Sequence, residues 1–325
     1  MNTSTPYGFR VLGSPEADRK LVSFAPAFAA YCRNDAKATP DSEAYLSLFE
    51  YDARFAEHLR ASLSVRGLPP CSLGGGWLWF DIDREGELGA ALSDAQVLTV
   101  CLIDDFALPE DSILAFFSGS KGFHIGLPTA AWEPESGEHY HLVCKEMAMA
   151  VAGVAGIDID TSVYDRVRIF RAPNTPHPKT GLRKRRLTCA ELMNTHVDSI
   201  LALARDPLPF EPPVYGAGCN EKLQTLWHSA EERVRLNRQA AQAHRGTGTF
   251  PKALNRQTLE FIREGAQKGE RQTRLYSAAA NLFEFGAPKE LAAALLTEAA
   301  EDCGLPPKDI ARTIGSAFAK GGHHV

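Results

Sequence analysis

The sequence lacks the segments and cysteine patterns that mark several large classes of protein. It has no run of 18 or more apolar residues, whereas a membrane-spanning helix needs about 20, so we expect no membrane span. The seven cysteines are far apart and form no CxxC pair, so neither a zinc ribbon nor a disulfide framework is supported. The first residues lack the basic start and apolar stretch of a secretory signal. We therefore expect a cytoplasmic protein in a reducing compartment.

A phosphate-binding P-loop is also absent. The pattern GxxxxGK followed by Ser or Thr does not occur, which excludes a fused helicase of the type that uses this loop. No internal repeat or low-complexity tract stands out. The chain has 325 residues, of which 44% are hydrophobic and 23% charged. This length and composition allow one large globular domain and a smaller one.

The order of predicted elements divides the chain into three parts. Strand-like and helix-like segments follow each other in residues 1–205, which indicates an α/β domain. A stretch rich in proline and glycine at 206–218 leads into a charged helix at 221–244, so we interpret 206–251 as a linker that carries this helix. Alanine-rich helical segments separated by Gly-Pro turns fill 252–325, which predicts a small all-α bundle with an accessory role.

Apolar patterns within the first part predict its individual elements. Residues 1–70 look mainly helical, and 44–63 carry apolar residues at helical spacing. Short apolar runs bounded by turn residues indicate strands, and longer periodic segments indicate helices. The predicted strands cover 76–83, 113–117 and 123–127, and the predicted helices cover 87–106 and 138–156.

The first group of candidate site residues is Asp81-Ile82-Asp83, at the end of an apolar strand. Strand residues two positions apart point to the same face, so both carboxylates project into one space. A bound Mg²⁺ or Mn²⁺ ion is the common reason for a protein to keep two such repelling charges together. The alternative is an exposed strand end without a ligand.

The second group is the segment SGSKGFH at 118–124, between two short strands. Its glycines let backbone N–H groups approach an anion closely, while Ser118, Lys121 and His124 add hydrogen-bond donors and charge. This combination favours a phosphate site. The alternative is a plain hairpin turn with a lysine at its tip.

The third group lies within residues 157–187, where positive charge is concentrated. Eight Lys or Arg and no Asp or Glu fall within 166–186, although the whole chain has a formal net charge of −5. Clustered cations of this kind indicate a surface that meets phosphates. Asp160, or Asp158 two positions earlier on the same predicted strand face, can complete a site of three carboxylates with the first pair.

The same run contains candidates for phosphate and nucleic-acid binding. Arg171, His177 and Lys179 could contact phosphates, and the stretch Arg183–Arg186 could face a nucleic-acid backbone. For Arg183–Arg186 the alternative is a solvated edge strand or loop. For His177 and Lys179 the alternative is a turn set up by the prolines on either side of His177.

Together the three groups resemble the archaeo-eukaryotic primase superfamily, the primase-polymerases. The three motifs of that family are DxD, SGxxGxH and a hydrophobic residue followed by Asp, and they occur here in family order as DID, SGSKGFH and ID. Family members often continue with a basic position, a proline turn and HxKTG, and this chain has Arg171, Pro173 and HPKTG at 177–181. The matching residues lie within 76–188.

The resemblance implies a fold and a set of site residues. The implied fold is the primase catalytic core, with mixed sheets and flanking helices, followed by the helical domain of primases from phages, plasmids and integrated elements. The third motif fits Ile157-Asp158 and Ile159-Asp160 alike, and we favour Asp160 because it directly precedes the segment that leads into the arginines. The implied ligands of Mg²⁺ or Mn²⁺ are Asp81, Asp83 and Asp160, with Asp158 as the alternative to Asp160. The implied nucleotide contacts are Ser118, Lys121, His124, Arg171 and His177, and the implied nucleic-acid contacts are Lys179, Arg183, Lys184, Arg185 and Arg186.

The function implied by the resemblance is that of a DNA primase or primase-polymerase, which makes or extends primers on single-stranded DNA by two-metal-ion nucleotidyl transfer. Its partners would be the DNA template, ribo- or deoxyribonucleoside triphosphates and a separate helicase, in the replication of a phage, plasmid or other mobile element. Two alternatives stay open. One is a non-catalytic replication initiator that binds single-stranded DNA and recruits a helicase, and the other is a gap-filling polymerase of an end-joining system.

Overall fold

The computed structural model of the protein describes residues 6–246, 254–267 and 269–321. The chain forms two compact units, of which the first ends at Arg238 and the second begins at Gln239. The first unit combines two antiparallel sheets with helices, and the second is helical. The predicted α/β fold class with a following all-α part is therefore confirmed. No helix in these described ranges is long and apolar enough to cross a membrane.

Ten strands in the described part of the chain form the two sheets. They are β1 (Tyr7–Leu12), β2 (Lys20–Ser23), β3 (Ala44–Ser47), β4 (Glu50–Tyr51), β5 (Leu73–Gly74), β6 (Trp77–Asp83), β7 (Leu114–Phe117), β8 (Gly122–Pro128), β9 (Ile169–Arg171) and β10 (Arg185–Leu187). The first sheet has the order β5-β4-β1-β3-β9, with β2 paired to β1, and the second has the order β10-β7-β8-β6. The predicted strands at 76–83, 113–117 and 123–127 are confirmed as β6, β7 and β8, with ends that differ by one residue.

Seven α-helices begin within the first unit. They are α1 (Phe24–Cys32), α2 (Ala53–Ser62), α3 (Leu88–Asp104), α4 (Tyr140–Ala155), α5 (Cys189–Asn194), α6 (Val197–Leu203) and α7 (Glu221–Gly246). The predicted helices at 87–106 and 138–156 are confirmed as α3 and α4. Helix α4 ends at Gly156, whose φ of 69° is a left-handed conformation that glycine adopts without a steric penalty.

The prediction that residues 44–63 form one helix is wrong. Strands β3 and β4 occupy the beginning of this segment, and α2 starts only after Asp52, whose carboxylate accepts a hydrogen bond from the N–H of Arg54 (3.0 Å). All four residues of β3 are buried, so successive apolar side chains imitate helical spacing. The prediction of a mainly helical 1–70 fails as well, because β1 and β2 also lie in that range.

One part of the core of the first unit lies where α3 and α4 pack on the second sheet. Helix α3 contacts β6 and β8, and α4 contacts β6. Four fully buried phenylalanines fill these strands: Phe80, Phe116, Phe117 and Phe123. Each such ring contributes about 1.5–3 kcal/mol by leaving water. This packing holds β6, β7 and β8 in a fixed position, and the acidic end of β6 with them.

Helix α7 packs on the core of the first unit, whereas the sequence predicts a linker with a charged helix at 206–251. Its buried residues recur every three or four positions and therefore share one face of the helix: Leu223, Trp227, Ala230 and Val234. Charged residues at the intervening positions hide this apolar stripe in the sequence. Residues 247–251 of the predicted linker lie outside the described ranges.

The second unit consists, in its described part, of four helices with their own apolar core. They are α8 (Arg256–Glu264), α9 (Arg271–Glu284), α10 (Lys289–Asp302) and α11 (Pro307–Gly321). Asn255 caps α8, because its side-chain oxygen accepts a hydrogen bond from the N–H of Thr258 (2.8 Å). Thr258 in turn donates from Oγ1 to Asn281 of α9 (3.0 Å). These bonds join α8 to α9 beside the apolar core.

Candidate active site

A cavity of about 220 Å³ lies at the acidic end of β6. Seven of the residues proposed for metal and nucleotide binding line it: Asp81, Asp83, Ser118, Lys121, His124, Arg171 and His177. The other lining residues are Tyr45, Ser120, Val163, Arg168, Ile169 and Phe170. Residues from all three candidate groups therefore line one space, although neither Asp158 nor Asp160 of the third group is among them.

A larger cavity of about 500 Å³ lies elsewhere in the first unit. It is lined by the glycine segment Gly74–Gly76 and by the carboxylates of Glu50, Asp52 and Glu133, and no Lys, Arg or His is among its lining residues. Such a lining does not favour phosphate binding. The smaller cavity is therefore the better candidate for the predicted chemistry.

Asp81 and His124 face each other in the register of β6 and β8. Asp81 Oδ1 lies 3.4 Å from His124 Nε2 and makes no hydrogen bond with the described residues. Burial opposes ionisation of Asp81, but His124, Lys184 and Arg168 lower the pKa of this carboxyl below its usual value. Burial, and then the charge of Lys184, lowers the pKa of His124, whereas Asp81 raises it. Asp81 Oδ1 is therefore a buried carboxylate oxygen that can bind a cation.

Asp83 lies two positions further along β6, on the same face as Asp81. Its Oδ2 lies 2.9 Å from Lys121 Nζ. Burial and the charge of Asp81 raise the pKa of Asp83, and Lys121 opposes this change. Two carboxylates in one site repel each other, and a bound cation would relieve that repulsion.

The carboxylate pair fits a small divalent cation. Mg²⁺ and Mn²⁺ prefer oxygen ligands, and Mg²⁺ commonly binds through one or two carboxylates together with substrate phosphates. The unpartnered Asp81 Oδ1 is an oxygen available for such an ion. Within the described ranges, however, no group of three or more His, Cys, Asp or Glu is arranged to hold a metal ion. The third predicted carboxylate is therefore not assembled with the first two.

Asp158 and Asp160 lie between α4 and β9, in a segment without a strand, so the prediction that they share a strand face is wrong. The N–H of Asp160 donates to the carbonyl oxygen of Asp81 (2.9 Å), which places Asp160 beside the first carboxylate. The Asp160 carboxylate accepts hydrogen bonds from the N–H and the hydroxyl of Ser162 (2.8 and 3.0 Å) and caps a short 3₁₀ turn. Asp158 is exposed. Neither side chain lines the cavity.

Two glycines shape the hairpin between β7 and β8. Gly119 has a φ of +91°, which residues with a Cβ rarely adopt, and a Cβ there would come within 2.9 Å of the carbonyl oxygen of Leu182. A Cβ at Gly122 would lie 2.2 Å from the carbonyl oxygen of Ile82 and 2.3 Å from Asp83 Oδ1. Glycine is therefore needed at both positions. This close approach explains the spacing of glycines in SGSKG.

Loop 177–182, which contains the HPKTG sequence, packs on this hairpin. Thr180 donates from Oγ1 to the carbonyl oxygen of Gly119 (2.6 Å). The N–H of His177 donates to the carbonyl oxygen of Leu182 (2.8 Å), which closes the loop. The second motif and the HPKTG loop, distant in sequence, are thus joined by a direct hydrogen bond.

Arg171 and His177 are held at the cavity by neighbouring groups. Arg171 donates to the carbonyl oxygen of Pro176 (3.0 Å) and to the hydroxyl of Tyr45 (3.1 Å). Neither partner is a carboxylate, so these bonds leave the guanidinium charge in place. The N–H of Lys179 donates to His177 Nδ1 (3.2 Å), so a neutral His177 carries its proton on Nε2. Burial, and then Arg171, lowers the pKa of His177, which favours this form.

Arg168 also lines the cavity, although sequence analysis assigns it no role. Its Nη2 donates to Ser162 Oγ (2.8 Å), and Ser162 connects it to Asp160. The only signal in the sequence is its membership of the cationic run 166–186. Charge alone does not tell which cations of that run face the cavity.

The predicted nucleic-acid contacts at Arg183–Arg186 do not form a solvent-facing patch. Lys184 is 1% exposed and Arg185 is 7% exposed, so the prediction that these two face a nucleic-acid backbone is wrong. Arg185 donates to the carbonyl oxygen of Leu203 (3.3 Å) and lies 3.8 Å from a carboxylate oxygen of Glu191. The reason for the burial is tertiary, because side chains distant in the sequence cover β10 and the residue before it.

The remaining cations of that set differ in exposure. Arg183 donates to Asp41 Oδ1 (2.7 Å), and Arg186 lies over the ring of Phe210, 4.6 Å from its centre. Both are partly buried, whereas Lys179 is exposed. Lys179 therefore stays the most accessible of the five predicted nucleic-acid contacts.

Comparison with known proteins yields similarity to solved structures only. No protein-family model and no curated protein matches the chain. The crystal structure of primase RepB' is similar with a TM-score of 0.35 and 12% sequence identity, over 99% of this chain and 95% of that chain. The polymerase domain from Mycobacterium tuberculosis Ligase D, in complex with DNA, is similar with a TM-score of 0.34 and 16% identity, over 62% of this chain and 72% of that chain. These TM-scores are too low to support an inference about fold or activity.

Proposed function

We propose that the protein is a DNA primase or primase-polymerase, an enzyme that joins nucleotides on a single-stranded DNA template. The observation that carries this proposal is one cavity lined both by a carboxylate pair and by nitrogen donors from separate elements: Asp81, Asp83, Lys121, His124, Arg171 and His177. A divalent ion on the carboxylates and phosphate oxygens on the nitrogen donors would satisfy both sets. The order of DID, SGSKGFH, ID and HPKTG in the sequence supports the same function.

Asp81 and Asp83 would hold the Mg²⁺ or Mn²⁺ ions, and Asp160 is the proposed third ligand. Two such ions would activate the attacking 3′-hydroxyl and stabilise the pyrophosphate leaving group. For Asp160 to take part, its carboxylate has to exchange the hydrogen bonds from Ser162 for the ion. Asp81 needs no such exchange at Oδ1, because that oxygen makes no hydrogen bond with the described residues.

The nitrogen donors would bind the triphosphate of the incoming nucleotide. Arg171 donates hydrogen bonds to Tyr45 and Pro176. Neither acceptor is a carboxylate, so these bonds do not neutralise the charge of Arg171. His177 offers its Nε2–H, because Nδ1 already accepts a hydrogen bond. Lys121 pairs with Asp83 and could shift to a phosphate oxygen once an ion occupies the carboxylates. A preorganised donor of this kind typically contributes about 3 kcal/mol to stabilising the transition state.

The proposed partners are single-stranded DNA, ribo- or deoxyribonucleoside triphosphates and a separate helicase, in the replication of a phage, plasmid or other mobile element. Of the predicted DNA contacts, Lys179 is exposed and lies two residues after His177. Contacts to phosphates are independent of base sequence and weaken steeply with salt. We therefore propose that template binding uses Lys179 and that Lys184 and Arg185, which are buried, do not take part.

The test is nucleotide incorporation on a defined single-stranded DNA, with and without a primer, with each of the eight nucleotides and with Mg²⁺ or Mn²⁺. We expect incorporation by the parent protein and a loss of at least about 100-fold in Asp81→Asn/Asp83→Asn. Asp111→Asn, which removes an exposed carboxylate before β7, is the control and should retain activity. A double variant as active as the parent would refute the proposal.

The same assay separates the alternatives. Extension of a supplied primer without synthesis on bare template would indicate a gap-filling polymerase. Binding of single-stranded DNA without any incorporation would indicate a non-catalytic initiator.

A further inference from the structure

Lys184 is a buried lysine that the proposed reaction does not use. It is 1% exposed. Its Nζ lies 4.7 Å from the ring centre of Phe170, 4.9 Å from that of Phe116 and 5.1 Å from that of Trp79. Ammonium groups are attracted to aromatic faces at such distances. We refer to these three rings as the aromatic cage of Lys184.

The ammonium of Lys184 also contacts the backbone of β9. Its Nζ donates a hydrogen bond to the carbonyl oxygen of Arg171 (3.0 Å). Arg171 is the residue whose guanidinium lines the cavity. The ammonium therefore holds the backbone at the residue that carries a proposed phosphate donor.

The main chain of Lys184 closes the segment that carries the other donor. Its N–H donates to the carbonyl oxygen of Thr175 (3.0 Å), and its carbonyl oxygen accepts from the N–H of Asn174 (2.9 Å). The segment between these bonds contains His177. A single residue thus fixes both the base of the His177 segment and the backbone of Arg171.

One wall of the cage also supports the proposed metal and phosphate site. The ring of Phe170 stacks on the imidazole of His124, with 4.2 Å between ring centres and 25° between ring planes. His124 faces Asp81. A shift of Phe170 would therefore move the support of His124.

Burial of this lysine lowers the stability of the fold. Removing an ammonium from water costs free energy unless its partners compensate, and burial lowers the pKa of Lys184 to about 7. A methionine of similar length would fill the same space without that cost. The ammonium is therefore better explained by the contacts that it makes to the site than by a contribution to folding.

We propose that Lys184 is a positioning residue of the triphosphate site, which holds Arg171 and Phe170 so that Arg171 and His124 point into the cavity. The inference rests on the proposed function of that cavity. It differs from the prediction that Lys184 touches nucleic acid, because the side chain acts from inside the protein.

The experiment compares the parent with Lys184→Met, Lys184→Gln and Arg185→Met. Arg185 is the matched control. It is a buried cation directly after Lys184 in the sequence, its partners are Leu203 and Glu191, and it does not line the cavity. Binding of ATP and dATP is measured by calorimetry, KM and kcat by primer extension, and folding by thermal unfolding. A folding role alone would change the thermal midpoint and the active fraction but not the affinity for nucleotide.

We expect Lys184→Met to raise the Kd and KM for nucleotide by about tenfold, with an equal or higher thermal midpoint. Lys184→Gln keeps an N–H donor without the charge. Its Kd and KM for nucleotide should lie between those of the parent and those of Lys184→Met. Arg185→Met should lower the thermal midpoint and leave the nucleotide Kd unchanged.

Each result decides a separate point. A Lys184→Met protein that binds nucleotide as tightly as the parent overturns the role of Lys184 and leaves the proposed function intact. If Lys184→Met fails to fold, a Lys184→Gln protein with the affinity of the parent overturns it in the same way. A parent protein that binds neither ATP nor dATP overturns the proposed function, and the role of Lys184 with it.

Discussion

The backbone N–H of Asp160 donates a hydrogen bond to the carbonyl oxygen of Asp81, with 2.9 Å between the two atoms. This bond joins the third sequence motif to the backbone of Asp81, the residue of the first motif whose carboxylate faces His124. Asp158 is attached differently, because its carbonyl oxygen accepts a hydrogen bond from Arg84 (2.9 Å) and its side chain is exposed. The two candidates for the third metal ligand are therefore distinguishable by position.

We predict that Asp160→Asn lowers primer extension by at least about 100-fold, while Asp158→Asn stays within a few-fold of the parent. Asparagine caps a helical turn as well as aspartate does, so the first variant removes the charge and keeps the turn at Ser162. Extension rates and the binding of Mn²⁺, followed by electron paramagnetic resonance, are the measurements. The reverse ranking of the two variants would assign the ligand to Asp158.

Helix α7 provides a second prediction, because its residue Trp227 is buried in the core of the first unit. That ring lies 5.2 Å from the ring of Tyr140 and 6.0 Å from that of Trp132. We expect Trp227→Ala to lower the free energy of unfolding of the first unit by about 3–5 kcal/mol. Arg235→Ala, at an exposed position of the same helix, is the control and should change it by less than about 0.5 kcal/mol. Urea unfolding followed by circular dichroism measures both variants. Equal midpoints for the parent and Trp227→Ala would show that α7 does not support the core.

His141 gives a prediction about the dependence of stability on pH. Burial lowers its pKa to about 4, and its Nδ1 is buried without a hydrogen-bond partner among the described residues. The unfolded chain, with a histidine pKa of about 6.5, binds more protons between these two values, so stability rises with pH in this window and is lost as the pH falls through it. We expect His141→Gln to remove this loss, which amounts to about 1 kcal/mol because the side chain is partly exposed.

The measurement for His141 is the thermal midpoint of the parent and the variant across that pH window. His196→Gln, at an exposed histidine, serves as the control and should follow the parent. Parallel curves for the parent and His141→Gln would contradict the prediction.

The parts of the site that sequence reasoning predicted are those that local geometry decides. Asp81 and Asp83 share a face because strand side chains alternate, and the glycines at 119 and 122 are needed by a hairpin that approaches its neighbours closely. Strands β6, β7 and β8 were also predictable, since short apolar runs bounded by glycine or by charged residues have few other structures. These features depend on residues near one another in the chain.

The parts that sequence reasoning missed depend on contacts between distant segments. The rings around Lys184 come from β6, β7 and β9, and nothing in the run RKRR indicates that they cover it. Strand β3 has four buried residues in succession, a pattern that a helix can also produce. The apolar stripe of α7 is likewise recognisable only when the surface that covers it is known.

Arg168 gives the last prediction, because it lines the cavity without belonging to any motif. Its guanidinium donates to Ser162 Oγ (2.8 Å), so a triphosphate in the cavity would compete with Ser162 for this cation. A hydrogen bond to a charged group contributes about 1.5–3 kcal/mol, so Arg168→Gln should raise the KM for nucleotide by about tenfold or more.

Arg166→Gln is the matched control for Arg168. Arg166 lies two residues earlier and donates to the carbonyl oxygen of Pro69 (3.0 Å) instead of lining the cavity. Its replacement should affect thermal stability and leave KM unchanged. Primer extension at a series of nucleotide concentrations measures both variants. An unchanged KM in Arg168→Gln would mean that the triphosphate is bound without Arg168 and that this residue serves only to hold Ser162 beside Asp160.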